Sequence, residues 1–141
     1  MVDPYSAYKK KTVETLTPVE VVIKLYSEIE RQLAIAVNCV EKNDRREYQK
    51  ANEAFIKAEN CIDALRETLD MSIPISKELE SYYIFFYKEI VNANVHKDCT
   101  EVKKIIPLVS ELRDAFTQIS QMTRAEIEAQ KEQNQKKKGV G

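Results

Sequence analysis

The chain has 141 residues, 43% apolar and 32% charged, with a formal net charge of −1. That is enough apolar content for one folded domain and too little charge imbalance for capture of nucleic acid by electrostatics. Only 2 Gly and 4 Pro punctuate it, which favours long helices with few connections. No apolar run reaches the ~18 residues that span a membrane, and the N-terminus lacks a signal-peptide core. Three cysteines, Cys39, Cys61 and Cys99, have no paired spacing and read as reduced thiols. The expected location is therefore the cytoplasm.

Residues 1–16 carry weak periodicity and read as a flexible N-terminal arm. Tyr5 and Tyr8 stand three apart, so one helical turn aligns them as docking side chains. Thr17-Pro18-Val19-Glu20 is a helix start: a hydroxyl cap, a proline at the first position, and a glutamate placed to bond back to the cap. From there Val19, Val22, Tyr26, Ile29, Leu33, Val37 and Val40 share one face. A second apolar set, Val21, Leu25, Ile35 and Cys39, lies almost opposite. A helix apolar on two sides needs two partners.

The second helix spans about Asp44–Leu69, with Ala51, Ala54, Phe55, Ala58, Cys61, Ile62, Leu65 and Leu69 as one stripe and Ile56 off it. Pro74 breaks the chain, and Ser76 is the expected cap of a third helix reaching Val95. Its core stripe is Ile75, Leu79, Tyr82, Tyr83, Phe86, Ile90 and Ala93. Ile84, Val91 and Val95 lie opposite, with Phe85 nearby. A fourth helix starts at Asp98 or Cys99 and shows Val102, Ile105, Val109, Leu112, Phe116 and Ile119 at strict three–four spacing. Pro107 inside it frees a carbonyl or kinks the helix. Arg113, at the stripe's edge, is expected to be half-buried and paired with a carboxylate. After Gln121 the pattern fades.

The fold class is thus all-α, an antiparallel up-down four-helix bundle over residues 17–120. A polar helical extension and frayed tail follow over 121–141. Alternation places the end of the first helix, the start of the second and the third turn at one pole.

Catalytic chemistry has no foothold. There is no Gly-rich phosphate loop, no nucleophile with a plausible base, and no inward Glu-x-x-His pair for a di-iron centre. His96, Cys99 and Cys39 share a pole but supply only three zinc ligands, so no catalytic, cofactor or metal residue is expected. What remains is apolar surface on the first and third helices: a groove for an amphipathic partner helix, extra burial in an irregular bundle, or a homodimer face.

Several stretches, taken in order, resemble the FliS-type flagellin export chaperones. They are Tyr5-Ser6-Ala7-Tyr8 in the arm, and Thr17-Pro18-Val19-Glu20 followed by Leu25-Tyr26. Lys57-Ala58 with Ile62, Leu65, Leu69 and Asp70 continues the match, as do Ala93-Asn94-Val95-His96-Lys97-Asp98 and Leu112-Arg113-Asp114-Ala115-Phe116. Met71-Ser72-Ile73-Pro74 stands where that family usually has glycines, and Phe116 where it often has Trp. The resemblance implies a cytosolic, non-enzymatic chaperone without cofactor. It would bind the disordered C-terminal segment of flagellin, block premature polymerisation, and meet components of the export gate. The residues assigned to partner binding are Tyr5, Tyr8, Val21, Leu25, Ile35, Ile84, Phe85, Val91 and Val95. The alternative is a homo-oligomeric helical scaffold.

Overall fold

A computed structural model describes residues 17–139; Tyr5 and Tyr8 lie outside them. Four helices make up this part of the chain: α1 (Pro18–Glu41), α2 (Tyr48–Glu67), α3 (Ile75–His96) and α4 (Val102–Gly139). A single 3-10 turn, Arg45–Glu47, precedes α2. No strand occurs among the described residues.

Each boundary has a local cause. Thr17 caps α1 in an extended conformation, accepting the Glu20 amide on its hydroxyl at 3.2 Å. The Glu20 carboxylate reaches back to the Thr17 backbone, as expected of a capping box, and it also accepts from Arg124. Asp44 caps the 3-10 turn by accepting the Arg46 amide at 3.0 Å. Ser76 is not the cap of α3. The helix begins one residue earlier, behind Pro74, and Ser76 is buried in the first turn. The α3–α4 turn is folded by Lys97 in the left-handed region (φ 51°) and by Asp98, which accepts the Thr100 amide at 3.0 Å. Pro107 lies inside α4. Its missing N–H leaves the Lys103 carbonyl without a helical donor, on a stretch where both residues are exposed.

Around the bundle the order is α4–α1–α2–α3. The most extensive packing is α1 on α2, then α1 on α4, then α2 on α3, and α3 barely touches α4. The two-sided apolar character of α1 follows, since it is the helix held between two neighbours. Leu25 and Ile35 are half-buried against the core and Cys39 is buried, so this second set, Val21 apart, serves the bundle itself. The centre is filled by Tyr26, Ile29, Leu33, Phe55, Ile62, Leu65, Tyr83, Phe86, Ile90, Ile105 and Val109. Phe116 stacks on Tyr26 with ring centroids 5.6 Å apart.

Three residues expected in core stripes lie at its edge instead: Ile75, Tyr82 and Ile119 are 53%, 48% and 45% exposed. All three lie near the gap between α3 and α4, where no other described helix covers them.

Two cross-links fix the poles. At one, Glu41 pairs with Lys103, joining the end of α1 to the start of α4. At the other, Arg124 grips Glu20 through Nε–Oε1 at 2.6 Å and Nη2–Oε2 at 3.0 Å. Beyond Arg124, α4 runs on with every side chain to Lys136 exposed.

Candidate functional site: an open apolar track

The site is built from the side of the bundle that the fold leaves open. Two ion pairs, Arg113 with Glu30 and Arg124 with Glu20, show which flank of α4 faces α1. At 100° per residue, Leu108, Ala115, Ile119 and Met122 fall on the other flank. Likewise Asn94 donates to Asn52 at 2.8 Å, so the flank of α3 carrying Asn94 faces α2. Tyr82 and Phe85 fall on the opposite flank. Between the two helices therefore runs a seam edged by Tyr82, Phe85, Leu108, Ile119 and Met122, all at least one-third exposed. Half-buried Leu79, Leu112 and Phe116 pack against the core beside it. Tyr82 and Phe85 rest on the Phe86 ring, with centroids 6.2 Å and 6.1 Å away. Their exposed faces are thus held on a rigid base.

At the Arg124 pole the seam's neighbours, Leu79 and Phe116, also line a cavity of about 440 Å³. Its walls are Pro18, Val19, Val21 and Val22 from α1, Leu69 and Ile73 from the α2–α3 connection, and Ile75 and Tyr83 from α3. Three large apolar residues in that connection region, Met71, Ile73 and Ile75, are half-exposed. The glycine-free connection thus adds apolar surface to this pole. Polar groups on the wall are partly spoken for: the Thr68 hydroxyl donates to the Leu65 carbonyl at 2.6 Å, and Asp70 accepts the Ser72 amide at 3.0 Å.

The residues assigned from sequence scatter across this surface. Val21 lines the polar-end cavity and Phe85 edges the seam. Ile84 and Val91 are half-buried, and they and the 70%-exposed Val95 lie towards the α2 side of α3, away from the seam. Leu25 and Ile35 belong to the core edge. Sequence periodicity missed Leu108 and Met122, and it placed Tyr82 and Ile119 in the core. Their signal was present as apolar residues at the margins of two stripes, but nothing local says that α3 and α4 part company.

No group of three His, Cys, Asp or Glu side chains suited to a metal occurs among the described residues. His96 is exposed and Cys99 buried. Burial raises the Cys61 and Cys99 thiols above their ordinary range, the opposite of an activated nucleophile. No described helix is long and apolar enough to cross a membrane.

Comparison with known proteins gives the family of the chain. Residues 1–123 match the family described as Flagellar protein FliS. The chain belongs to the FliS family. It is also similar to the flagellar secretion chaperone FliS of Bacillus subtilis (strain 168), with 32% identity over 122 residues. That alignment covers 86% of this chain and 90% of the relative. The family match ends just before Arg124, so the exposed part of α4 lies beyond the FliS-like portion.

Proposed function

We propose that this FliS-family protein is a cytoplasmic, non-catalytic chaperone for flagellar export. It binds the disordered C-terminal segment of flagellin along the apolar track, keeps it from polymerising, and presents it to the export apparatus. The observation that carries the reading is the open seam between α3 and α4, continued at the Arg124 pole by the apolar cavity. A bundle that needed only to fold would close that edge. A disordered client with apolar residues at three–four spacing can lie in the seam as an added helix and turn into the pole. Ordering the client takes free energy from the contacts, so the complex remains releasable without covalent chemistry.

The test is a titration with a flagellin C-terminal peptide. Wild-type protein forms a complex at micromolar concentration. Phe85→Glu and Ile119→Glu, both at half-exposed positions, keep their helicity and melting cooperativity. Each places an unpaired carboxylate against an apolar client, at a cost of several kcal/mol, which weakens binding at least 100-fold. Wild-type protein that ignores the peptide would sink the proposal. If these substitutions instead turn a dimer into a monomer and leave client binding intact, the seam is a self-association face.

A further inference from the structure

The Tyr26 and Tyr83 hydroxyls are hydrogen-bonded to each other in the buried core, and the two residues are 0% and 1% exposed. A phenol carries one hydrogen and can accept. The contact between them uses one of the two hydrogens, and no other hydrogen bond is made by either hydroxyl among the described residues. Burial raises both phenols above their ordinary range, so both hydrogens stay in place at physiological pH. One hydrogen is therefore left over.

Which tyrosine keeps it is decided by surroundings. Tyr26 is enclosed between Tyr83, Phe116 and the core, and it does not line the cavity at the Arg124 pole. Tyr83 does line it. If Tyr83 donates to Tyr26, the spare hydrogen is sealed in the core with no acceptor, which is the costly arrangement. If Tyr26 donates to Tyr83, the spare hydrogen belongs to the residue on the cavity wall. Ser76, two turns earlier on the same face of α3, adds a second buried hydroxyl to that wall.

We infer that the Tyr83 hydroxyl, held by Tyr26, is a hydrogen-bond donor subsite in the polar-end cavity, and that it takes an amide carbonyl of the client segment. The inference rests on the client reading above and adds a specificity element to it. Most of the cavity wall is Val, Leu, Ile, Pro and Phe, which reward any apolar segment alike, and the Thr68 hydroxyl is already spent on the Leu65 carbonyl. One fixed donor rewards a segment that brings a carbonyl to that depth, because a partner lacking one leaves a buried donor unpaired.

The experiment compares Tyr83→Phe with Tyr26→Phe, using the flagellin C-terminal peptide as probe. Each variant removes one hydroxyl and loses the mutual bond, so both lower the melting temperature. The affinities separate them. Tyr83→Phe binds about three- to tenfold more weakly, the range of one neutral hydrogen bond, while Tyr26→Phe stays within about twofold of wild type. Equal loss in both variants, or unchanged or tighter binding by Tyr83→Phe, overturns the subsite. A second readout needs no variant. In wild-type protein labelled with 13C-tyrosine, saturating peptide shifts the ζ-carbon resonance of Tyr83; a resonance that does not move overturns the assignment. Wild-type protein that fails to bind the peptide removes the client reading and this subsite together. Binding without the Tyr83 effects removes the subsite alone.

Discussion

At the scale of single residues, the stability of the bundle rests on a few enclosed side chains. Leu65 is fully buried near the end of α2. Leu65→Ala removes three carbons from a site with no solvent to fill it and costs about 2–5 kcal/mol, read as a lower denaturation midpoint with an unchanged m-value. Arg113 and Glu30 pose a different problem. Their ion pair crosses from α4 to α1 and is mostly covered on the glutamate side, 17% exposed. The second glutamate oxygen, Oε1, is buried with no hydrogen-bond partner. Arg113→Ala strands that carboxylate and costs about 1–3 kcal/mol. Glu30→Gln costs less, because a neutral amide keeps an acceptor for the guanidinium and removes the poorly solvated charge. Chemical denaturation of the two variants side by side checks the order.

At the scale of elements, the distinguishing feature is the length of α4. It has 38 residues against 24 in α1, about 57 Å against about 36 Å, so it outruns the bundle. The Arg124–Glu20 pair is the last described side-chain link between the two helices. The Arg124 guanidinium holds the Glu20 carboxyl below its ordinary range. A carboxylate depressed in the folded state contributes stability that is complete above its unfolded value of 4.5. The contribution is lost as pH falls through the lower folded value. Amide hydrogen exchange in the first turn of α1 and around Arg124 should therefore accelerate as pH drops below 4.5, after correction for intrinsic rates. In Glu20→Gln this acid-side step disappears and exchange is already faster at neutral pH. Identical acid profiles for the two proteins would show that the pair does not anchor the extension.

At the scale of the whole molecule, the arrangement α4–α1–α2–α3 leaves one edge uncovered among the described residues, and that edge carries the proposed client site. We propose that residues 1–16, which carry Tyr5 and Tyr8, compete for this surface in the free protein. Thr17, the first described residue, adjoins the Pro18–Val19 wall of the cavity. An arm that occupies the site part of the time lowers apparent affinity by the fraction of protein left competent. Removing residues 1–16 should then tighten peptide binding several-fold without changing the melt of the bundle. Weaker binding instead would mean that the tyrosines touch the client directly.

Much of this was legible in the order of residues. Thr17-Pro18 starts a helix because a hydroxyl and a ring act on their own immediate backbone. The stripes Phe55–Ile62–Leu65 and Val102–Ile105–Val109 point inward because their spacing matches the helical repeat, whatever they pack against. Arg113 could be placed at a stripe's edge with a carboxylate partner, since its stem and head ask for different surroundings. Four such helices with short turns leave few ways to bury their stripes, so the bundle follows. What needed the tertiary structure was every statement about which neighbour stands on which side. Leu25 and Ile35 look spare until α1 is seen to lie between α2 and α4. Tyr82 and Ile119 look buried until α3 and α4 are seen to part. Glu20 reads as half of a capping box, but nothing local shows that Arg124, 104 residues away, binds the same carboxylate. Periodicity records the face a side chain presents. Only the packed fold decides whether that face meets another helix or is left open to a partner.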